Sequence, residues 1–408
     1  MPELVQMDIS GRDRPGITVA LTEVLARHGV VVLDIGQSVI HNTLALGMLV
    51  EVPDETGAPV FKELLFAAHG MGLDLRFTPI EPDAYEEWVQ AQGQPRHILT
   101  LLGRDITAGH IARVSTVVSR HHLNIEQITR LSGRISRRDA ATPKHASIEI
   151  WLKGPVSDIT ALHADLLALG SEVDLDLAVQ EDDIFRRNRR LVCFDMDSTL
   201  IQAEVIDVLA EAAGVGPRVA AITEAAMRGD IDFNQSFAQR LALLKGLDAA
   251  ILPQLAESLP ITPGAERLIR TLKKLGHRVV ILSGGFDYFA RDLQERLDID
   301  EVHANALDIE NGKLTGKIKG PVVDGARKAT LLREIAQREG IRPEQVIAVG
   351  DGANDLPMLS IAGLGIAYRA KPLVKQKARH ALGTVGLDGI LYLLGMRDRD
   401  LLALGDPL

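Results

Sequence analysis

The sequence predicts an α/β chain: two small βαββαβ units, then a doubly wound parallel sheet interrupted by a helical insert. Three observations carry this. A pattern in the first 180 residues recurs at an offset of 92. Three short apolar runs in the second half each end in acidic or small polar residues. Between the first and second of these runs, about 203–272, the apolar spacing is helical.

The repeat reads as follows. Leu4–Asp13 resembles His97–Asp105, and each carries Gly-Arg-Asp, at 11–13 and 103–105. Helical spacing follows at Ile17–His28 and His110–His121. Strand-like runs come next at Val30–Ile35 and Leu123–Thr129, then at Leu44–Val52 and Ala146–Leu152. Second helices fall near Val60–His69 and Ile159–Leu169. The order βαββαβ, twice, describes two ferredoxin-like units over 1–82 and 95–181. Arg186–Arg190, after Glu181-Asp182-Asp183, reads as a solvated linker into a third domain, 186–408.

That domain opens on Leu191-Val-Cys-Phe-Asp-Met-Asp-Ser-Thr-Leu200. A continuous apolar run suits a parallel strand buried on both faces, and such sheets place ligands at their carboxyl ends. Asp195 and Asp197 stand at that end. Two acids there are costly to desolvate without a cation or hydrogen bonds. A calcium loop starting at Asp195 is excluded, because Thr199 and Leu200 occupy positions that need Asp or Asn and then Gly. Another kind of metal-binding carboxylate pair stays open from this motif alone. Arg278–Phe286 is a second strand ending in Ser283-Gly284-Gly285, where small residues let backbone N–H groups approach an anion. Gln345–Asp355 is a third, ending in Gly350-Asp-Gly-Ala-Asn-Asp355. Lys328 lies between them near the start of a helix, where a lone lysine is ordinarily exposed.

In this order, DxDxT, Ser-Gly, Lys and GDGxND resemble the haloacid-dehalogenase-like phosphotransferases, and in detail the phosphoserine phosphatase family, over roughly 185–395. The resemblance implies magnesium-dependent hydrolysis of O-phospho-L-serine, the last step of serine synthesis. Asp195 would be the nucleophile, already ionised at neutral pH, and Asp197 the general acid and then base, with a raised pKa. Mg²⁺ would be held by Asp195, Asp351 and the Asp197 carbonyl, with Asp355 behind them. Ser283, the Gly284 N–H and Lys328 would hold the phosphoryl group, and Asn354 would be a further substrate-binding residue. The insert at 203–272 would be a small helical cap. There Glu204 would take the substrate ammonium, Arg240 its carboxylate, and Met227 and Phe233 would close an apolar lid.

Gly-Arg-Asp-Arg-Pro-Gly (11–16) is similar to the opening turn of an ACT domain, which implies an amino-acid effector, L-serine, near Asp13 and Gly16. The second copy departs from that pattern, with Gly-Arg-Asp-Ile-Thr-Ala-Gly (103–109) and a longer loop at 131–145. ACT units commonly pair across subunits, so a homodimer is expected.

Composition bounds the rest. A net charge of −10 argues against nucleic acid as a main partner. Cys193 is the only cysteine, so no intrachain disulfide forms. No apolar run approaches a membrane span, and Met1-Pro-Glu lacks signal-peptide character, so a cytoplasmic protein is expected. Two rivals remain at this stage: a phosphatase or phosphotransferase acting on another small phosphate ester or a phosphoprotein, and a non-enzymatic amino-acid sensor.

Overall fold

The computed structural model describes residues 2–54, 57–134, 145–228 and 230–405, without the side chains of Met227 and Phe233. It divides into two compact units, Met1–Gln94 and Pro95–Leu408.

In the first unit, β1 (Glu3–Arg12), β2 (Val31–Ile40), β3 (Thr43–Val52) and β4 (Leu73–Pro79) form an antiparallel sheet of order β2-β3-β1-β4. Alternation sets its two faces. Val5, Met7 and Ile9 on β1 and Leu44, Leu46 and Met48 on β3 are buried. They pack with Leu21 and Leu25 of helix Ile17–Arg27 and with Val60 and Leu64 of helix Gly57–Gly70. A further helix, Pro82–Gln90, follows β4 in the stretch between the units expected at 1–82 and 95–181.

The second unit starts with the same architecture. β5 (Arg96–Gly103), β6 (Asn124–Arg130), β7 (Ala146–Lys153) and β8 (Asp176–Glu181) are ordered β6-β7-β5-β8. Helices Ala108–Arg120 and Ile159–Val173 cover one face. The expected long loop at 131–145 falls mostly outside the described residues.

A seven-stranded sheet follows: β9 (Leu191–Phe194), β10 (Arg278–Phe286), β11 (Glu301–Glu310), β12 (Lys313–Lys319), β13 (Val346–Gly350), β14 (Leu364–Tyr368) and β15 (His380–Leu382). Its order is β12-β11-β10-β9-β13-β14-β15, parallel throughout except for the antiparallel hairpin strand β12. β9 is central and buried on both faces, as its unbroken apolar run requires. The chain runs outward from β9 to one edge and returns at β13 to build the other. The gap between the ends of β9 and β13 is therefore the switch point where such sheets bind ligands.

The cap leaves after β9. An antiparallel bridge between Ile201 and Ile261 joins its outgoing and returning strands. Helices Val205–Ala212, Gly216–Arg228, Phe233–Ala242 and Leu252–Ser258 lie within it. The insert thus closes before residue 272. Helix Ala265–Lys274 belongs to the sheet layer, since Leu268, Ile269 and Leu272 pack with Val279 and Ile281.

The arginine run at 186–190 departs from its expected solvated role. Arg186 and Arg189 are only 5% and 8% exposed. Arg186 ion-pairs with buried Glu149 of β7, which also accepts from Trp151 Nε1 at 3.2 Å. Arg189 donates to Gln180 Oε1 at 2.9 Å and to the Gly363 carbonyl at 3.3 Å, and burial lowers its pKa to about 10. Further along, Gly383 N–H and Thr384 N–H each donate to Asp176 at 2.9 Å. His380, on edge strand β15, lies 2.9 Å from the Val179 carbonyl of β8. The second ferredoxin-like module is thereby bolted to the edge of the seven-stranded sheet.

Removing one member of a buried ion pair strands the other in low dielectric. Glu149→Ala is expected to lower the stability of the Pro95–Leu408 unit by about 3–5 kcal/mol in urea unfolding. Arg187→Ala, at an exposed guanidinium, should cost less than about 1 kcal/mol. Equal losses would return the whole run to the solvated class.

Candidate active site

The site forms where β9, β10 and β13 end. Asp195 follows β9 directly, and its N–H donates to the Val349 carbonyl of β13 at 2.9 Å, which ties the two strand ends together. Its Oδ1 accepts from Met196 N–H and from Lys328 Nζ, both at 2.8 Å. No described donor reaches its Oδ2. The chain then turns sharply through Met196–Leu200, with Asp197 extended and Ser198 left-handed at φ +55°. A non-glycine residue held there marks a turn imposed by its surroundings.

Lys328, expected on base rates to be exposed, is fully buried. It rises from the first turn of helix Gly325–Arg338, whose start is capped by Asp324. Its ammonium sits between Asp195 (2.8 Å) and Asp355 (2.7 Å). Burial by itself would depress the lysine pKa, and the two carboxylates more than offset it, so the net direction is upward. Asp355 is committed through both oxygens, since Gly352 N–H donates to its Oδ2 at 2.9 Å. Glycine is required beside it: a Cβ on Gly350 would lie 2.3 Å from the Asp355 carboxyl carbon.

Asp351 completes a cluster with Asp195 and Asp355 in which one oxygen of each lies within 4.8 Å of the others. Thr199 Oγ1 donates to Asp351 at 3.3 Å. Burial, then Asp355, then Glu204 push the Asp351 carboxyl up to about 7. Asp195 is raised by burial and by Asp355, against the pull of Lys328. Three carboxylates share one ammonium, which leaves two negative charges uncompensated. An all-oxygen set with that excess suits a hard divalent cation.

Asp197 faces the same space. It is raised well above the carboxylate range by burial first, then by the charges of Glu204 and Asp195. Its Oδ1 is buried without a hydrogen-bond partner. A Cβ on Gly285 would come within 2.7 Å of its Oδ2, so only glycine lets β10 approach this closely. Ser283, fully buried at the end of β10, accepts from Gly285 N–H at 2.9 Å. Asn305 of β11 was missed in the sequence. Its Nδ2 donates to the Gly284 carbonyl at 2.8 Å and its Oδ1 accepts from Val323 N–H at 2.9 Å. It sets the glycine turn from a neighbouring strand, with no local signal to reveal it.

From the cap, Glu204 precedes helix Val205–Ala212 and accepts from Ser198 Oγ at 2.7 Å. The residue keeps a solvent-exposed side, while the protein around its carboxylate raises its pKa. Arg240, on helix Phe233–Ala242, is the cationic counterpart. Burial lowers its pKa while Glu204, Asp207 and Asp197 hold it up, and its Nε is buried without a partner. Asn354 stands behind this set, with its carbonyl against Gly325 and its side-chain oxygen beside Gly352. The side chains of Met227 and Phe233 lie outside the described residues. Asp13 and Gly16 belong to the first unit. Asp13 N–H donates to the Asn42 carbonyl at 2.8 Å, and Gly16, at φ +94°, begins helix Ile17–Arg27 with no side-chain cap.

Residues 192–360 match the haloacid dehalogenase-like hydrolase family, and residues 3–78 match the ACT domain. The chain is 40% identical to the phosphoserine phosphatase SerB2 of Mycobacterium tuberculosis, over 96% of this chain and 93% of that protein. It is 41% identical to the phosphoserine phosphatase of Streptomyces coelicolor, over 95% and 91%. Among solved structures it resembles a HAD family hydrolase from Salmonella enterica (TM-score 0.61, 30% identity, 73% of this chain and 98% of that one). It also resembles an unliganded probable phosphoserine phosphatase from Vibrio cholerae (TM-score 0.57, 35% identity, 76% and 88%).

The raised Asp351 predicts a stability profile. Its unfolded carboxyl ionises near pH ~4, whereas the folded one keeps its proton to about 7. Between those values the folded state binds more protons, so the cation-free protein should lose stability as pH rises through the window. Asp351→Asn should flatten that slope in EDTA, and it should also abolish any rise in melting temperature that a divalent cation produces.

Proposed function

We infer the reaction from a plain premise: the chain belongs to the phosphoserine phosphatase family of the haloacid dehalogenase-like hydrolases, and it is a phosphatase. The reaction is hydrolysis of O-phospho-L-serine through a phosphorylated Asp195. The observation that carries the chemistry is the pairing of two unlike acids. Asp195 is anchored by Lys328 and Met196 with one oxygen left uncommitted, while Asp197, two residues on, has a buried Oδ1 without a partner and is raised by burial and by the charges of Glu204 and Asp195.

Asp195 attacks phosphorus through its uncommitted oxygen. The P–O bond to serine breaks, and Asp197 gives its proton to the departing alkoxide. Asp197, now a carboxylate, takes a proton from water. That water attacks phosphorus, the bond to Asp195 breaks, and inorganic phosphate leaves. Ser283, the Gly284 N–H and Lys328 hold the phosphoryl oxygens while charge builds on them. A divalent cation, magnesium in this reading, held by Asp195 and Asp351 would neutralise phosphate charge and make phosphorus more electrophilic. Asp355 fixes Lys328.

Substrate choice rests on Glu204 and Arg240. Opposite charges over a phosphoryl site suit the ammonium and carboxylate of an amino-acid phosphate, and the unpartnered Arg240 Nε supports a carboxylate-reading role. At the first unit, an amino-acid effector such as L-serine would meet uncapped helix N–H groups behind Gly16, with Asp13 beside them. Edge strand β2 exposes Val31, Ile35 and Ile40, which favours pairing with a second copy of the chain.

Arg240→Ala is expected to raise KM for O-phospho-L-serine by about tenfold to a hundredfold, the cost of a lost charged hydrogen bond. Turnover of p-nitrophenyl phosphate should change little. Equal losses on both substrates would remove the carboxylate-reading role and favour another phosphate ester. Asp195→Asn should abolish phosphate release from both substrates and leave no acid-stable, alkali-labile phosphoenzyme in a rapid quench.

A further inference from the structure

The β11–β12 hairpin grips the cap as well as belonging to the sheet. Three backbone hydrogen bonds join the two. Gly246 N–H donates to the Leu314 carbonyl at 2.8 Å, Leu314 N–H to the Leu247 carbonyl at 2.9 Å, and Ala249 N–H to the Gly312 carbonyl at 2.8 Å. The sheet edge at β12 is thereby paired with a segment of the cap. Leu314 is buried in one apolar cluster with Phe237, Leu241 and Leu244 of the cap.

One residue of the hairpin meets the helix that carries Arg240. Gly316 is left-handed at φ +79°, and a Cβ there would lie 3.2 Å from Ala242 Cα, 3.3 Å from the Ala242 carbonyl oxygen and 3.1 Å from Lys245 Cβ. Ala242 ends helix Phe233–Ala242, two residues after Arg240. The obstacle is mostly backbone, which cannot rotate aside. Gly312, in the same hairpin, has a similar conformation at φ +76°, but a Cβ on it would meet nothing within 4 Å. The crowding at Gly316 therefore comes from the cap helix and not from the hairpin turn.

The other side of this ribbon is fixed at the phosphoryl-binding turn. β11 pairs with both β10 and β12, and Asn305 of β11 donates to the Gly284 carbonyl at 2.8 Å. Phe286, which ends β10 just after that turn, has its ring 6.0 Å from the ring of Phe237 on the cap helix. The span from Gly284 to Arg240 is thus set by backbone ladders and packed rings rather than by the cap's chain connections alone.

We propose that Gly316 is a positioning residue for substrate recognition. Through it the hairpin holds Arg240 at one reach from the phosphoryl-binding turn, the reach that suits the short spacing between carboxylate and phosphate in an amino-acid phosphate. The proposal rests on the carboxylate-reading role of Arg240. A side chain at 316 forces the helix end outward by a few tenths of an ångström and takes the guanidinium with it.

Gly316→Ala and Gly312→Ala, each in the full chain, test this. Both place alanine at a left-handed position, so both should lower the melting temperature by similar amounts. Only Gly316→Ala should raise KM for O-phospho-L-serine, by about threefold to tenfold, since a 1 Å misplacement can cost about 10²-fold. Turnover of p-nitrophenyl phosphate, which has no carboxylate, should match wild type. In an Arg240→Ala background Gly316→Ala should add nothing to KM, because the group it misplaces is gone. Ala249→Pro decides the matter if Gly316→Ala does not fold. It removes the hydrogen bond to Gly312 at the first position of a helical turn, after an already extended Asp248 (φ −67°, ψ 123°), and should raise KM in the same way. A rise in Arg240→Ala with none in Gly316→Ala or Ala249→Pro, an equal rise in Gly312→Ala, or full additivity in the double variant would overturn the positioning role and leave the reading of Arg240 standing. No rise in Arg240→Ala would remove that reading, and the proposal with it.

Discussion

The ammonium of Lys328, sealed between Asp195 and Asp355, is the interaction on which the rest of the catalytic unit depends. Three acids gather at the ends of two buried parallel strands, where water cannot screen them. A single fully buried cation holds that cluster together. The geometry around it follows from this need. Helix Gly325–Arg338 must begin close to β13, and Gly325 and Gly350 allow the approach because side chains there would strike Asn354 and Asp355. The β9 end is tied to β13 through Asp195 N–H. The charge left over suits the site to a cation and surrounds Asp195, the nucleophile in the proposed reaction.

The cap works on the same electrostatic field from the other side. The left-handed Ser198 turns the chain away from the sheet and hands Glu204 a hydrogen bond at the point where the first cap helix begins. Glu204 then contributes to the raised pKa of both Asp197 and Asp351, while Arg240 offsets it. In the proposed reaction the residues that read the amino acid also help keep the general acid protonated. In that proposal substrate recognition and proton inventory are joined through space rather than through a shared contact.

The second ferredoxin-like module is part of this unit in a physical sense. The Arg186–Glu149 pair, the Arg189 hydrogen bonds and the Asp176 clamp on Gly383 and Thr384 all cross between module and sheet. They are buried or half-buried polar links, which cost much to break and define one relative placement.

The sequence by itself determined the local facts. Strand alternation placed the cores of the ferredoxin-like units, and continuous apolar runs ending in acids or glycines located β9, β10 and β13. The residues of DxDxT, Ser-Gly and GDGxND were legible because each motif is a short stretch whose chemistry its own neighbours constrain. Lys328 was legible only through the order of those motifs, since nothing local distinguishes a lysine that will be buried. The tertiary structure alone decided the remainder. Arg186 and Arg189 read as solvated charge, yet they find acceptors 37 residues back and 174 residues on. Asn305 acts across a strand pair and carries no motif. The cap closes earlier than its helical spacing suggests, because a helix that packs on the sheet has the same periodicity as one that packs within a cap. Arg369 and Asp174 share a cleft although nearly two hundred residues separate them. Burial and charge pairing depend on which distant segment arrives, and periodicity records only the face that a residue presents.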